Sequence, residues 1–155
     1  MKLYAHFMLA MFYLARPALR AWYRQRGSRR VRIAVRCHDK LLLVRTSFSN
    51  HHLYLPGGGI EAGESPIMTA VRELREETGL RVPAEHIRLI GDIHTTQTDM
   101  PFHITLFECT VEAETLPALD RFRRLEIIER VWVPLQDASV ADPIISWYLN
   151  RDQFC

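Results

Sequence analysis

The chain has 155 residues, 48% hydrophobic and 25% charged, with a net charge of +2; this is ordinary globular composition and argues for one domain, long enough to bury a core of its own. Three cysteines, Cys37, Cys109 and Cys155, are odd in number, widely spaced and without a CxxC pair, so neither a disulfide frame nor a zinc site is indicated, and a reducing cytoplasm is the expected setting. The modest net charge conceals an asymmetry, because the first 36 residues hold nine basic side chains and no acid, which leaves the other 119 with −7.

Residues 3–15 are apolar, with Tyr4, Phe7, Met8, Met11, Phe12 and Ala15 recurring at three and four, and Leu19, Trp22 and Tyr23 continue that stripe while the arginines gather elsewhere. The pattern predicts a basic amphipathic helix over residues 1–27, bent at Pro17, ahead of a domain at 28–155. A run of thirteen residues, apolar but for His6, falls short of the roughly 20 that a spanning helix needs, and a signal peptide places its positive charge before the apolar run rather than after it. Three roles stay open: docking on the domain or on a second copy as a homodimer, lying on a membrane surface with the arginines against anionic lipid, or serving as an uncleaved export signal or anchor. Specific nucleic-acid binding is not expected, because the arginines at 24–32 lack the interleaved aromatics of a base-stacking surface.

Residues 31–35 and 40–45 read as two β segments joined by a turn at 37–39, a hairpin. Residues 46–52 are polar and loop-like, and 53–55 form a short strand that delivers a glycine run. Arg45, at the end of its strand, is a candidate for substrate phosphate, with a surface ion pair as its plainer role. His51 and His52 also lie near the glycines, with exposed loop positions as their plainer reading.

Pro56 is followed by Gly57, Gly58 and Gly59, and Gly63 recurs shortly after; such a run lets the backbone turn tightly and approach a ligand closely. A helix starts next, with Ser65 as its cap, Pro66 at the first position and Gly79 as the left-handed terminator. Ile67, Ala70, Val71 and Leu74 form its core stripe. Glu73, Glu76 and Glu77, at i, i+3 and i+4, share another face, where like charges cost a few tenths of a kcal/mol per pair. Arg72 and Arg75 do not neutralise three glutamates plus Glu64, whereas a hard divalent cation would, since Mg²⁺ prefers oxygen ligands and bridges carboxylates to phosphates. An acidic run alone is usually a solvated face.

The whole constellation is more specific. Gly58, five residues, Glu64, seven residues, then Arg72-Glu73-Leu74-Arg75-Glu76-Glu77-Thr78-Gly79-Leu80 resembles the Nudix box of the MutT-like Nudix hydrolases in every fixed position. The resemblance implies an α/β fold, an α/β/α sandwich with a mixed sheet. It also implies Mg²⁺-dependent hydrolysis, with Mn²⁺ as a substitute, of a nucleoside diphosphate linked to another moiety. By the same resemblance Glu73, Glu76 and Glu77 ligate metal with Glu64 assisting, and Arg72 orients a glutamate; the backbone of residues 57–59 is expected to hold the loop open, with Gly57 supplying a ligand carbonyl. Gly58 and Gly59 lie where substrate approaches. The base is Glu76 or a late glutamate.

Downstream, 87–93 and 102–111 alternate as strands, 94–101 is a polar connection, and 112–122 is a candidate specificity loop. A final strand is expected at 131–134. Glu126 and Glu129, six and three residues before Trp132, fit the segment in which Nudix relatives often carry a further glutamate, so both are candidates for the base or an extra ligand. Residues 144–150 read as a closing helix with Trp147 and Leu149 in the core. Nucleoside triphosphates and nucleotide sugars both remain open as substrates. The rival class is a Nudix-fold binding module without turnover, against which four intact carboxylates argue.

Overall fold

The computed structural model describes residues 28–47, 52–95, 102–119, 123–138 and 142–150. The helix expected at 1–27, His51 and most of the connection at 94–101 lie outside them.

Five strands form one mixed sheet in the order β3-β4-β1-β2-β5. Strands β1 (Ser28–Cys37) and β2 (Lys40–Thr46) make the expected hairpin, with Arg36 opposite Leu41 and Cys37 opposite Lys40. Its turn is only His38 and Asp39, and His38 takes φ 53, so Cys37 stays in the strand and is buried. Beyond that corner β1 and β2 diverge, and the chain at 54–60 fills the gap. Val31 N donates to Gly58 O at 2.9 Å, Ile33 N to Pro56 O at 2.8 Å, and Val44 and Tyr54 exchange both backbone bonds at 2.9 Å. The strand expected at 53–55 is therefore reduced to this one bridge, because the glycine run spends its hydrogen bonds on β1 rather than on a ladder of its own.

β3 (Arg88–Thr95) and β4 (Phe102–Thr110) pair antiparallel, and β4 lies parallel to β1 from Ser28↔Phe102 to Arg36↔Thr110. β5 (Ile127–Pro134) pairs antiparallel with β2. It begins four residues before the expected 131, since pairing with β2 extends it as far as Ile127 opposite Thr46 and takes Glu129 into the strand.

Period-2 alternation on β1 divides the core. Val31, Ile33 and Val35 face the helix α1 (Pro66–Glu73), packing with Ala70 and Leu74 and with Phe107 and Cys109 of β4. Ala34, with Leu41 and Leu43 of β2, faces the opposite layer, where Ile145 and Tyr148 of the helix α4 (Pro143–Asn150) and Ala138 close the core. Helices thus cover both faces. Fully burying a side chain such as Ile33 contributes about 1.5–3 kcal/mol, and its truncation to Ala would cost about 2–5 kcal/mol once the cavity is counted. Trp147, expected in the core, is 37% exposed, because α4 is apolar nearly all round and it is Ile145 and Tyr148 that turn inward. Two shorter helices, α2 (Arg123–Glu126) and α3 (Leu135–Ala138), flank β5.

Candidate active site

The box helix starts as its sequence predicts: Ser65 is extended, its side chain accepts from Met68 N, and Pro66 occupies the first turn. It does not stay regular. Leu74–Thr78 forms a π turn, ended by Gly79 at φ 79, where Thr78 Oγ1 donates back to Leu74 O. Such wider turns occur frequently at functional sites. Successive side chains here are set less than the α-helical 100° apart, so the glutamates do not follow the regular i, i+3, i+4 arrangement read from their spacing. Glu73 and Glu77 are both turned inward and buried, while Glu76 stays half-buried at the rim.

Glu77 reaches the glycine loop and accepts from Gly57 N at 2.7 Å. Gly57 itself has φ 143, and a Cβ there would stand 2.2 Å from Val31 O, so only glycine fits. Gly58 serves the site directly, since a Cβ would come 2.3 Å from Glu73 Oε1. Gly59 has open space beside it. Burial, reinforced by Glu73 and Glu126, pushes the Glu77 carboxyl up to about 7, against the Gly57 N–H and the Arg32 guanidinium, which favour its charged form. Burial likewise raises Glu73, with Arg72 opposing.

Arg72 is the hub of the cluster. Its Nε and Nη2 grip Glu64 in a fork at 2.8 and 3.0 Å, its Nη1 donates to Glu73 at 2.8 Å and to Glu76 at 3.3 Å, and Nη2 also reaches Gly59 O at 3.2 Å. Bidentate, charge-assisted bonds of this kind are the strong ones. Together with Thr69 Oγ1, which donates to Glu64 at 2.8 Å, they hold the Glu64 carboxyl down at about 2.

Two arginines that sequence reasoning missed complete the arrangement. Arg123 forms an ion pair with Glu76 and another with Glu126 at 3.2 Å, tying that late glutamate to the box helix. Arg32 Nη1 donates to Gly57 O at 2.5 Å, and its guanidinium lies 5.9 Å from the Tyr54 ring centroid. The Arg123–Glu126 pair is a local i, i+3 contact, but the reach of Arg123 to Glu76 and of Arg32 to Gly57 has no local sequence signal; the alternation of β1 could have separated Arg32 from the basic stretch before it. Glu129 is held elsewhere, in an ion pair with Arg45 across β2 and β5. Arg45 thus forms an ion pair, and it is not among the residues brought together around the glycine loop. His52 is exposed, edge-on to Tyr54 at 6.4 Å. The loop after β4 is pinned against the box helix by Arg130 Nη1, which donates to Thr78 O at 2.6 Å and to Pro117 O at 2.7 Å.

Among the described residues no three carboxylate, imidazole or thiol groups stand together as a ready-made metal cage. Arg72 and Arg123 are bonded to Glu64, Glu73 and Glu76, Gly57 N–H to Glu77, and Arg32 to the Gly57 carbonyl. The donor set still fits a hard divalent cation in its chemistry, with four glutamates and a loop carbonyl. Two of those glutamates are buried, and burial raises both carboxyls, Glu73 despite its bond to Arg72 and Glu77 despite the Gly57 N–H. Glu73, Glu76, Glu77, Glu64 and the Gly57 carbonyl could hold such an ion once these internal partners are exchanged for it.

The family model for the NUDIX domain matches residues 27–150. Among solved structures, a MutT protein from Methanosarcina mazei Go1 is similar at 24% identity and TM-score 0.64, over 82% of this chain and 95% of that one. A C. elegans Ap4A hydrolase is similar at 18% identity and TM-score 0.64, over 82% and 96%. A MutT/nudix family protein from Enterococcus faecalis is similar at 22% identity and TM-score 0.62, over 79% of this chain but only 53% of its own length. At these identities the structures establish the fold, and the match along the chain establishes the lineage. The class so defined is that of the Nudix pyrophosphohydrolases, and the chain belongs to the Nudix family. Nudix hydrolases generally use divalent metal ions. Among the described residues no helix is long and apolar enough to cross a membrane.

Proposed function

We propose that the chain hydrolyses the diphosphate linkage of a nucleoside diphosphate derivative, of the nucleoside triphosphate or nucleotide sugar type, with Mg²⁺ as its cation and Mn²⁺ as a substitute. The observation that carries this reading is the pair of buried glutamates, Glu73 and Glu77, set against a glycine loop in which Gly57 is closed to a side chain by the Val31 backbone and Gly58 by Glu73 itself. The Ap4A hydrolase among the similar structures supports a nucleotide substrate.

Glu73, Glu76 and Glu77 would hold the ion, assisted by Glu64 and the Gly57 carbonyl. A divalent ion bound there supplies charge neutralisation for the diphosphate oxygens and a sharpened water. Arg72 orients the cluster through its fork to Glu64. Gly58 and Gly59 leave the loop bare where substrate approaches. For the base, the link from Glu76 through Arg123 to Glu126 favours one of those two glutamates over Glu129, which Arg45 holds. Proton removal by a placed carboxylate typically contributes about 10²- to 10⁴-fold.

The test is a panel of nucleoside diphosphate derivatives with Mg²⁺, scored for phosphate or monophosphate release. Turnover is expected to vanish in excess EDTA and return with Mg²⁺ or Mn²⁺; activity that survives the chelator undiminished defeats the mechanism.

A further inference from the structure

The sheet face that carries the glutamate cluster also carries a second set of polar side chains. Val31, Ile33 and Val35 lie under the box helix, so by alternation Arg29 shares their face of β1. Phe107 and Cys109 mark the same face on β4, so Thr105 and His103 share it, and Asp92 and His94 stand opposite them on β3. The register therefore lays Arg29, His103 and His94 in one row across three adjacent strands, spaced about 4.8 Å apart. The two imidazoles touch edge to face with centroids 4.1 Å apart, and all three side chains are exposed. The neighbouring row is Val31, Thr105 and Asp92, in which Thr105 Oγ1 donates to Asp92 at 2.7 Å and engages that carboxylate.

This row adjoins the glycine loop. Arg29 O accepts from Ile60 N at 3.1 Å, and two residues on, Val31 N donates to Gly58 O, beside which Glu73 stands. Two residues of strand amount to about 7 Å. Arg29 forms no ion pair among the described residues, and the row offers a guanidinium fork plus an N–H from each imidazole. A metal ion on the histidine pair would sit next to the Arg29 charge, whereas an oxyanion is attracted by it.

We infer that Arg29, His103 and His94 form a subsite for a phosphate group beyond the diphosphate that is cleaved, so that the substrate class is a nucleoside polyphosphate, a triphosphate or longer, rather than a nucleotide joined to an uncharged sugar. This rests on the diphosphate-hydrolase reading of the glutamate cluster.

The test compares the full chain with Arg29→Gln and with a His94→Ala/His103→Ala double variant, all exposed positions, at pH 7.5. With Mg²⁺, the ratio of kcat/KM for a nucleoside triphosphate to that for a nucleotide sugar is expected to fall roughly tenfold in each, the scale of one lost charge-assisted hydrogen bond. Separately, calorimetry without metal should show inorganic tripolyphosphate binding to the wild type and roughly tenfold weaker binding to both variants. An unchanged ratio together with unchanged tripolyphosphate binding overturns the subsite, as does Zn²⁺ binding that depends on the histidine pair while tripolyphosphate binding does not. If neither nucleotide is hydrolysed by the wild type, the hydrolase reading fails, and the calorimetry still decides the subsite.

Discussion

Raising the pH of the chelator-treated protein from 5 to 8 is expected to lower its stability, the reverse of what an ion-paired carboxylate produces. Burial, with Glu73 and Glu126 nearby, pushes the Glu77 carboxyl from 4.5 to about 7. Because the folded value lies above the unfolded one, the folded protein keeps a proton that the unfolded chain sheds. The stabilisation is therefore complete below about pH 4.5, declines between 4.5 and 7, and is gone above 7. The gap corresponds to about 3 kcal/mol, or roughly 10 °C in Tm for a domain of this size. Glu73, raised by burial, tilts the curve the same way. Glu64, held at about 2, acts in the opposite sense and only below its ordinary value of 4.5, outside this window. Circular dichroism melts in EDTA at half-unit steps of pH would read the slope, and Glu77→Gln should flatten most of it. Added Mg²⁺ should raise Tm more at pH 8 than at pH 5, since at the lower pH it must displace a proton. A wild-type Tm that holds level or rises from pH 5 to 8 in EDTA, or a slope that Glu77→Gln leaves intact, would refute the argument.

Two further outcomes separate chemistry from scaffold. Glu77→Gln keeps size and one hydrogen bond but removes the charge, so kcat should fall at least about 10²-fold with the fold retained, while Glu61→Gln, on an exposed side chain 4.0 Å from Arg72, should lose much less; equal losses would dissociate the site from the box helix. Gly57→Ala meets backbone at Val31 O and a positive φ, and should destabilise by about 2 kcal/mol or more in denaturant melts. Gly58→Ala meets only the carboxyl end of the Glu73 side chain, not backbone, and should lose less stability than Gly57→Ala while losing activity; the opposite ranking of the two in stability would contradict the account of the loop.

The box helix was legible in the sequence because its signals are local: a capping serine, a proline in the first turn, an apolar stripe through Ala70 and Leu74, a glycine terminator. Its π turn was not, because spacing read on a 3.6 period assumes a regular helix, and no single residue in Leu74–Thr78 announces the wider one. Strands β1, β3 and β4 were legible from alternation, whereas the start of β5 depends on how far β2 can offer it partners, which is a tertiary fact. The same limit hid Arg123, whose meaning lies in Glu76 on another element, and it left Glu126 and Glu129 equivalent until Arg123 drew one of them in and Arg45 held the other.

The basic excess of the first 36 residues shows how a sum along the sequence can mis-sort charge. Counted by position, its nine cations look like one tail followed by an acidic domain. Counted by face, the four of them that lie in β1 are divided by its alternation: Arg32 goes to one side, where the Gly57 carbonyl and the Tyr54 ring receive it, and Arg29 goes to the other, beside His103 and on the glutamate face. An arginine in a central strand has to find a hydrogen-bonded place or an exposed edge, since burying its charge unpaired is too costly, and in this fold both places border the glycine loop. The sequence-level asymmetry is thereby converted into adjacency, with carboxylates that can gather a cation and, about two residues along the same strand, donors that can meet the remaining negative charge of a substrate. A polyanion needs both, and neither the box nor the basic stretch supplies them alone.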